Sequence, residues 1–146
     1  MVAEDLYRTH APRMIALATL MCGSRSVAED MVHDAFAATL PKLGGVEHPR
    51  AYLRVAVVNC CLAWQGRQAV EREHRPPDPE PLPEPGDREI RELLHQLPVD
   101  QRVALVLRFY EDLTGAQIAE VMRQRPSTVR SHIHRGLASL KELIEP

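Results

Sequence analysis

Apolar residues recur at intervals of three and four along most of the chain, which is the pattern of amphipathic α-helices. In the first half the apolar stripes are Tyr7, Ala11, Met14, Ile15, Ala18, Met21 and Cys22; then Ala28, Met31, Val32, Ala35, Phe36 and Leu40; then Tyr52, Leu53, Ala56, Val57, Cys60 and Ala63. Pro12 predicts a kink or a late start in the first helix. A capping box at 26–29 predicts the start of the second helix, and Pro41 with Gly44 and Gly45 predicts its end. Pro49 suits the first turn of the third helix.

Four further helices are predicted in the second half, the last of them longer than the other three. Their apolar positions are Ile90, Leu93, Leu94 and Leu97; Val103, Leu105, Val106 and Phe109; Ile118, Ala119, Val121 and Met122; and Val129, Ile133, Leu137, Leu140 and Ile144. Thr114 and Gln117 form a capping box before the third of these, and Pro126 occupies a first helical turn at the fourth. Only residues 123–125 separate the last two helices, so the pattern predicts a helix-turn-helix unit.

A proline-rich segment divides the chain. Residues 71–87 contain six of the twelve prolines and no apolar periodicity, which predicts an extended spacer. Aromatic residues make up only 4% of the chain and β-branched runs are scarce. The fold class expected is therefore all-α, with two small helical domains at 1–70 and 88–146 joined by this linker.

The net charge of −2 conceals an uneven distribution. Residues 71–87 carry −4, and each predicted domain carries +1. Within the second domain, the stretch from Val121 to Lys141 contains five cations and no acid: Arg123, Arg125, Arg130, Arg135 and Lys141. Such a local basic stripe can make several phosphate contacts, whereas the whole-chain charge argues against a protein that coats nucleic acid.

The second helix of a helix-turn-helix enters the major groove and presents its early exposed residues to the base edges. If Val129, Ile133 and Leu137 face the core, a set of hydrogen-bonding side chains is left outward on the last helix. These candidate DNA-binding residues are Ser127, Thr128, Arg130, Ser131, His134 and Arg135. None of them is a carboxylate, so the set suits bases and phosphates.

Both halves of the chain closely resemble a known family. LHQLPVDQRVALVLRFYED and LTGAQIAEVMRQRPSTVRSHIHRGLASLKEL are similar to region 4 of the extracytoplasmic-function sigma factors, the small group IV members of the sigma-70 family. LYRTHAPRMIALATLMCG, SVAEDMVHDAFAATL and HPRAYLRVAVVNCCLAW resemble region 2 of the same proteins. The resemblance covers residues 4–67 and 88–144, and the order of both regions across a short linker is more specific than either region alone.

The resemblance implies promoter-specific initiation of transcription. The partners it implies are core RNA polymerase, through the β′ clamp helices and the β flap, and promoter DNA, with an anti-sigma factor as a further partner. By similarity, region 4 would read the −35 element and Asp30, His33 and Asp34 would contact the polymerase. The residues assigned by similarity to the −10 element are His48, Tyr52, Asn59 and Trp64.

This sequence departs from the family pattern at two places. CCLAW at 60–64 stands where many relatives carry Asp and Arg side chains, which bears on promoter melting. Arg123 lies at a turn position where relatives often have Gly, so it must adopt a left-handed conformation or shift the turn. Two alternatives therefore stay open: a helix-turn-helix regulator that binds DNA by itself, and a degenerate sigma-like docking module.

Other chemistry has little support. The neighbouring Cys60 and Cys61 diverge on a helix, as do His132 and His134, so neither pair suits a metal, and the two cysteines are expected to be core thiols. No nucleotide loop, nucleophile elbow or catalytic carboxylate pair is recognisable, and neither an enzyme nor a cofactor is expected. Three cysteines, two of them adjacent, make a poor disulfide framework, and no apolar run approaches the roughly 18 residues of a membrane span. A cytoplasmic location is expected.

Overall fold

The computed structural model describes residues 3–71 and 88–145. The described residues form seven α-helices and no strand, which confirms the all-α prediction. The helices are α1 Ala3–Cys22, α2 Arg25–Leu43, α3 Pro49–Glu71, α4 Arg88–His95, α5 Val99–Phe109, α6 Gly115–Met122 and α7 Pro126–Ile144. The chain divides into two compact units, Met1–Pro77 and Asp78–Pro146. The predicted linker, apart from Glu71 at the end of α3, lies outside the described residues.

In the first unit, α1, α2 and α3 pack against one another around one core. Its fully buried large side chains are Met14, Leu17, Met21, Val32, Leu43, Leu53, Val57 and Val58. Gln65 is also buried, and its Nε2 donates to the Met21 carbonyl at 3.0 Å. Because the last carbonyls of a helix have no partner within the helix, this bond fastens α3 to the end of α1.

Pro12 does not delay the start of α1, and Pro41 does not end α2, which ends instead at the predicted Gly44. α1 begins nine residues before Pro12, and α2 continues beyond Pro41 to Leu43. The carbonyls that each proline ring leaves without a donor belong to Arg8 and Ala37, both of which are exposed to water. Leu43 itself is buried, so packing holds the last turn of α2 in place.

The start of α2 is also different from the prediction. The N-cap is Ser24, whose hydroxyl accepts a hydrogen bond from the Val27 N–H at 3.3 Å. The predicted capping box at 26–29 is therefore wrong by two residues. Ser26 lies inside the first turn of the helix, and Glu29 pairs with Arg25 instead.

The apolar face predicted for α3 is rotated by about one residue, or about 100°, from the face that is buried. The buried side chains include Val58 and Cys61, whereas Tyr52 is 37% exposed and Ala63 is exposed. Cys61 is thus a core thiol, and its Sγ lies 3.3 Å from the Met31 sulfur. Cys60 is only half-buried, so the prediction that both neighbouring cysteines are core thiols is wrong for Cys60.

In the second unit, α5 is the central helix, and α4, α6 and α7 pack against it. Six consecutive residues of α5, 102–107, are buried, including the charged Arg102. The Arg102 guanidinium donates to the carbonyls of Leu94 at 3.0 Å and Leu97 at 3.1 Å. These bonds satisfy carbonyls at the end of α4 and tie this eight-residue helix to the core.

Candidate nucleic-acid interface

The helix-turn-helix predicted from the sequence is formed by α6, residues 123–125 and α7. Thr114 caps α6: its hydroxyl accepts from the Gln117 N–H at 3.2 Å, and the Gln117 side chain accepts from the Thr114 N–H at 2.9 Å. This confirms the capping box. Pro126 occupies the first turn of α7, as predicted.

Arg123 adopts the left-handed conformation, with φ 56° and ψ 44°. Its N–H donates to Glu120, and the Gln124 N–H donates back to Ala119 at 3.0 Å, so the turn is closed by a Schellman-type pair of bonds. Arg123 therefore adopts the strained left-handed conformation instead of shifting the turn. The turn keeps its geometry at a conformational cost of about 1 kcal/mol.

One exposed face of α7 carries the candidate DNA-binding residues. Ser127, Thr128, Arg130, His134 and Arg135 are exposed, and Ser131 is half-buried. At about 100° per residue, all six lie within about 80° of the direction opposite Val129, which is fully buried. The structure therefore brings these six residues together on one surface.

The apolar stripe of α7 is less buried than the sequence predicts. Among the described residues of α7, only Val129 and Gly136 are buried. Leu137 is 43% exposed and Ile144 is 61% exposed, so the prediction that they face the core is wrong. Leu140 is half-buried, whereas residues 141–145 at the end of α7 are exposed.

The five cations of the basic stripe, Arg123, Arg125, Arg130, Arg135 and Lys141, are all exposed. No carboxylate of the described residues forms an ion pair with any of them. These five side chains therefore create a positive electrostatic potential on the surface of the helix-turn-helix and of the later part of α7. A polyanion with closely spaced phosphates matches this surface.

The acidic ridge of α2 consists of Asp30, His33 and Asp34, which are exposed and lie opposite the buried face of that helix. Tyr7 of α1 packs edge-on against Phe36 with ring centroids 5.1 Å apart, and its ring lies 6.5 Å from that of His33. Sequence reasoning did not assign Tyr7 to this surface. Because Tyr7 is 36% exposed, it adds an aromatic edge to the acidic ridge.

The four residues assigned by similarity to the −10 element are divided between two faces of α3. His48 is exposed, and its carbonyl accepts from the Tyr52 N–H at 3.1 Å. Tyr52 and Asn59 lie about 20° apart on the helix, opposite its buried face, whereas Trp64 is about 120° round from Tyr52. The structure thus places Tyr52 and Asn59 on one face of α3 and half-buried Trp64 on another, while His48 precedes the helix.

Two cysteines of the first unit, Cys60 and Cys61, have a raised pKa. Burial, and then the neighbouring Cys22 and Cys60, raise the pKa of Cys61 far above its ordinary value. The pKa of Cys60 is raised too, by partial burial and then by the charge of Asp34. Among the described residues, no group of three or more His, Cys, Asp or Glu side chains could hold a metal ion. Within the same ranges, no helix is long and apolar enough to cross a membrane.

Comparison with known proteins gives consistent results for sequence and fold. The family model for sigma-70 region 4 matches residues 87–140. The RNA polymerase sigma-E factor of Streptomyces coelicolor is 28% identical over 95% of this chain and 84% of its own length. The probable ECF RNA polymerase sigma factor SigI of Mycobacterium tuberculosis is 30% identical over 93% of this chain, which spans 53% of that protein.

A solved structure has the same fold. The sigma factor RpoE of Bartonella quintana, determined in complex with the anti-sigma factor NepR, aligns with a TM-score of 0.76 at 19% identity. The alignment covers 97% of this chain and 96% of that one. The region 4 match and the sigma factor relatives together support an assignment of the chain to the extracytoplasmic-function sigma factors of the sigma-70 family, and the solved structure shows that the fold is shared.

Proposed function

We propose that this sigma factor binds core RNA polymerase through the acidic ridge of α2 and reads the −35 element with the outward face of α7. The residues proposed to contact the −10 element are His48, Tyr52 and Asn59. Sigma factors are in general regulators of transcription rather than enzymes, and the same is proposed for this chain, which would act in the cytoplasm on the chromosome.

The observation that carries the proposal is the outward face of α7. Six hydrogen-bonding side chains lie opposite Val129, and no carboxylate is among them. Arginine can bond two acceptors of a guanine edge, and hydroxyl groups can bond either bases or phosphates. The exposed stripe of five cations supplies the phosphate contacts that set the register of the helix on the duplex.

The −10 surface has a different chemistry. The outward side of α3, along Tyr52, Val55, Ala56, Asn59 and Ala63, has an aromatic ring and an amide. One exposed cation, Arg67, lies about one turn beyond Ala63 on the same side. Such a surface suits unpaired bases, which bind by stacking and through their polar edges. Trp64, which lies on another side of the helix, is not part of this surface, so we propose Tyr52 as the stacking residue.

The decisive experiment is transcription in vitro with purified core polymerase on fragments of genomic DNA. Promoter-specific start sites are expected only when this chain is present. Tight binding to duplex DNA by the chain alone, as a dimer, would instead support the stand-alone regulator. Binding to the core enzyme without any transcript would support the docking module.

Variants of α7 link the activity to the proposed face. Arg130→Ala should lower transcription from the specific promoter about tenfold, since one good arginine–base contact contributes about 1–3 kcal/mol. Arg108→Ala is the matched control, because Arg108 is an exposed arginine of α5 outside the stripe. Equal effects of the two variants would exclude a sequence-reading role for Arg130.

A further inference from the structure

A polar cluster joins three separate parts of the second unit. Asp100 lies in the first turn of α5, Gln124 in the turn of the helix-turn-helix, and His132 on α7. The Gln124 Nε2 donates to the Asp100 Oδ2 at 3.2 Å. The His132 Nε2 lies 3.8 Å from the same oxygen. One carboxylate oxygen therefore faces both the turn and α7.

The contact with Gln124 compensates for a missing helix cap. α2 and α6 begin with the side-chain caps Ser24 and Thr114, whereas Arg125, the N-cap residue of α7, makes no side-chain cap bond. Gln124 immediately precedes Arg125. Its bond to the Asp100 carboxylate therefore fixes the chain where α7 begins, and a bond to an ionised acceptor is stronger than a neutral one.

The His132 side chain lies beside the same carboxylate oxygen, at a position on α7 that is more than one turn beyond its start. The His132 side chain is 21% exposed, and its Nε2 is buried with no hydrogen-bond partner among the described residues. At 3.8 Å the distance to the carboxylate is too long for a hydrogen bond, but a charged imidazole at this position is attracted to it. A protonated His132 would therefore add a second restraint, on the rotation of α7 about its axis.

Rotation of α7 matters for sequence recognition because the outward residues lie on the same helix, with the centre of their face about 120° round from His132. A helix with its side chains is about 10–12 Å across, so a rotation of about 20° moves the side-chain tips by about 2 Å. Hydrogen bonds to base edges do not survive such a displacement. A residue that restrains rotation can therefore affect which sequence is read without contacting DNA.

We propose that Asp100 is a positioning residue for −35 recognition, which holds the turn through Gln124 and the rotation of α7 through His132. The proposal rests on the proposed function of α7. Sequence reasoning did not find it, because Asp100 and Gln124 are 24 residues apart and neither lies on the DNA-facing surface.

The test compares holoenzymes on two promoters that differ only in the −35 element, one native and one scrambled. Asp100→Ala should reduce the ratio of transcription between them by about five- to tenfold, the loss expected for one charge-assisted hydrogen bond. Asp100→Asn keeps an oxygen that can accept from Gln124, and should restore most of the ratio. Gln124→Ala should lower the ratio less than Asp100→Ala, because it leaves the contact between Asp100 and His132, and the double variant should be no worse than Asp100→Ala alone.

Two further measurements complete the test. Glu142→Ala removes one exposed acid elsewhere on α7 and should leave the ratio unchanged, which separates positioning from net charge. Amide hydrogen exchange at 124 and 125 should be faster in Asp100→Ala and close to wild type in Asp100→Asn. Should Asp100→Ala fail to fold, Gln124→Ala and Asp100→Asn provide both readouts.

The outcomes separate this proposal from the function on which it rests. A wild-type holoenzyme that does not distinguish the two promoters would overturn the −35 assignment of α7, while the exchange rates would still decide whether Asp100 holds the turn. A wild-type enzyme that discriminates, with an unchanged ratio and unchanged exchange in Asp100→Ala and Gln124→Ala, would overturn the positioning role alone.

Discussion

Gly136 of α7 lies directly against Leu105 of α5. A Cβ atom added to Gly136 would come within 2.8 Å of the Leu105 Cδ1 and 3.2 Å of its Cγ. Leu105 is itself only 3% exposed, so it has little room to move away. The glycine thus allows α7 to approach the central helix more closely than any other residue would.

Gly136→Ala is expected to lower the free energy of unfolding by about 1 kcal/mol. Overpacking costs about 1–3 kcal/mol, and the better helix propensity of alanine returns about 1 kcal/mol. Urea unfolding measures the change. Gly66→Ala in α3 is the control, since nothing lies within 4 Å of the added methyl group and this variant should be more stable than wild type. If both variants gain stability, the close approach of α7 to α5 has no energetic role.

Arg123→Gly should stabilise the protein by about 0.5–1 kcal/mol, because glycine reaches the left-handed region without a steric penalty. Part of the gain is offset by the larger entropy of glycine in the unfolded chain. The stability of Arg123→Asn should fall between those of wild type and Arg123→Gly, and Arg123→Val should be less stable than wild type. Thermal unfolding of the four proteins gives the order, and a valine variant as stable as the glycine variant would contradict the left-handed turn.

Stability should decline at alkaline pH because of Cys61. Burial raises its pKa above the ordinary thiol value of 9.0, so the folded protein retains a proton that the unfolded chain releases. The contribution is fully present below pH 9 and is lost as the pH rises above it, by up to about 1.4 kcal/mol per pH unit.

Urea unfolding at pH 7, 8, 9 and 10 measures this decline. Cys61→Ala should show a shallower decline than wild type, while Cys60→Ala, which removes a half-buried thiol, should differ less. Identical slopes in wild type and Cys61→Ala would show that this thiol titrates normally.

The acidic ridge of α2 should contribute to polymerase binding. Asp30→Asn combined with Asp34→Asn is expected to weaken binding to core polymerase about tenfold, or about 1.4 kcal/mol, mostly through a slower and more salt-sensitive association. Surface plasmon resonance at two salt concentrations measures both rates. Asp5→Asn, which removes an exposed acid from α1, should have little effect. A similar loss in this control would point to net charge rather than to the ridge.

The helices and the helix-turn-helix could be predicted because their signals are local. The Thr114 capping box, the proline at 126 and the apolar spacing of α6 are all contained within a few residues of the features they determine. Ser24 was missed in favour of Ser26 because two serines stand near the start of α2 and either could cap it. Pro41 and Gly44 both indicate the end of α2, and the helix continues to Gly44 because burial of Leu43 outweighs the cost of the proline ring.

Features that depend on packing could not be predicted in the same way. Packing against α1 and α2 determines which face of α3 is buried. The face predicted from the sequence pattern is rotated from it by about one residue, or about 100°. Leu137 and Ile144 continue the apolar stripe of α7 in sequence, but the helices that would cover them are too short. The cluster of Asp100, Gln124 and His132 links three distant segments, and only the spatial arrangement shows it.

The buried guanidinium of Arg102 has a consequence for the order in which the second unit opens. α4 has eight residues, too few for a helix to persist in water alone, so its folded state depends on docking. If the carbonyls of Leu94 and Leu97 lose Arg102, α4 can unravel while α5, α6 and α7 keep their mutual contacts. We expect α4 to unfold locally before the rest of the second unit. Arg102 would then be exposed to water, while α6 and α7 stay packed on α5.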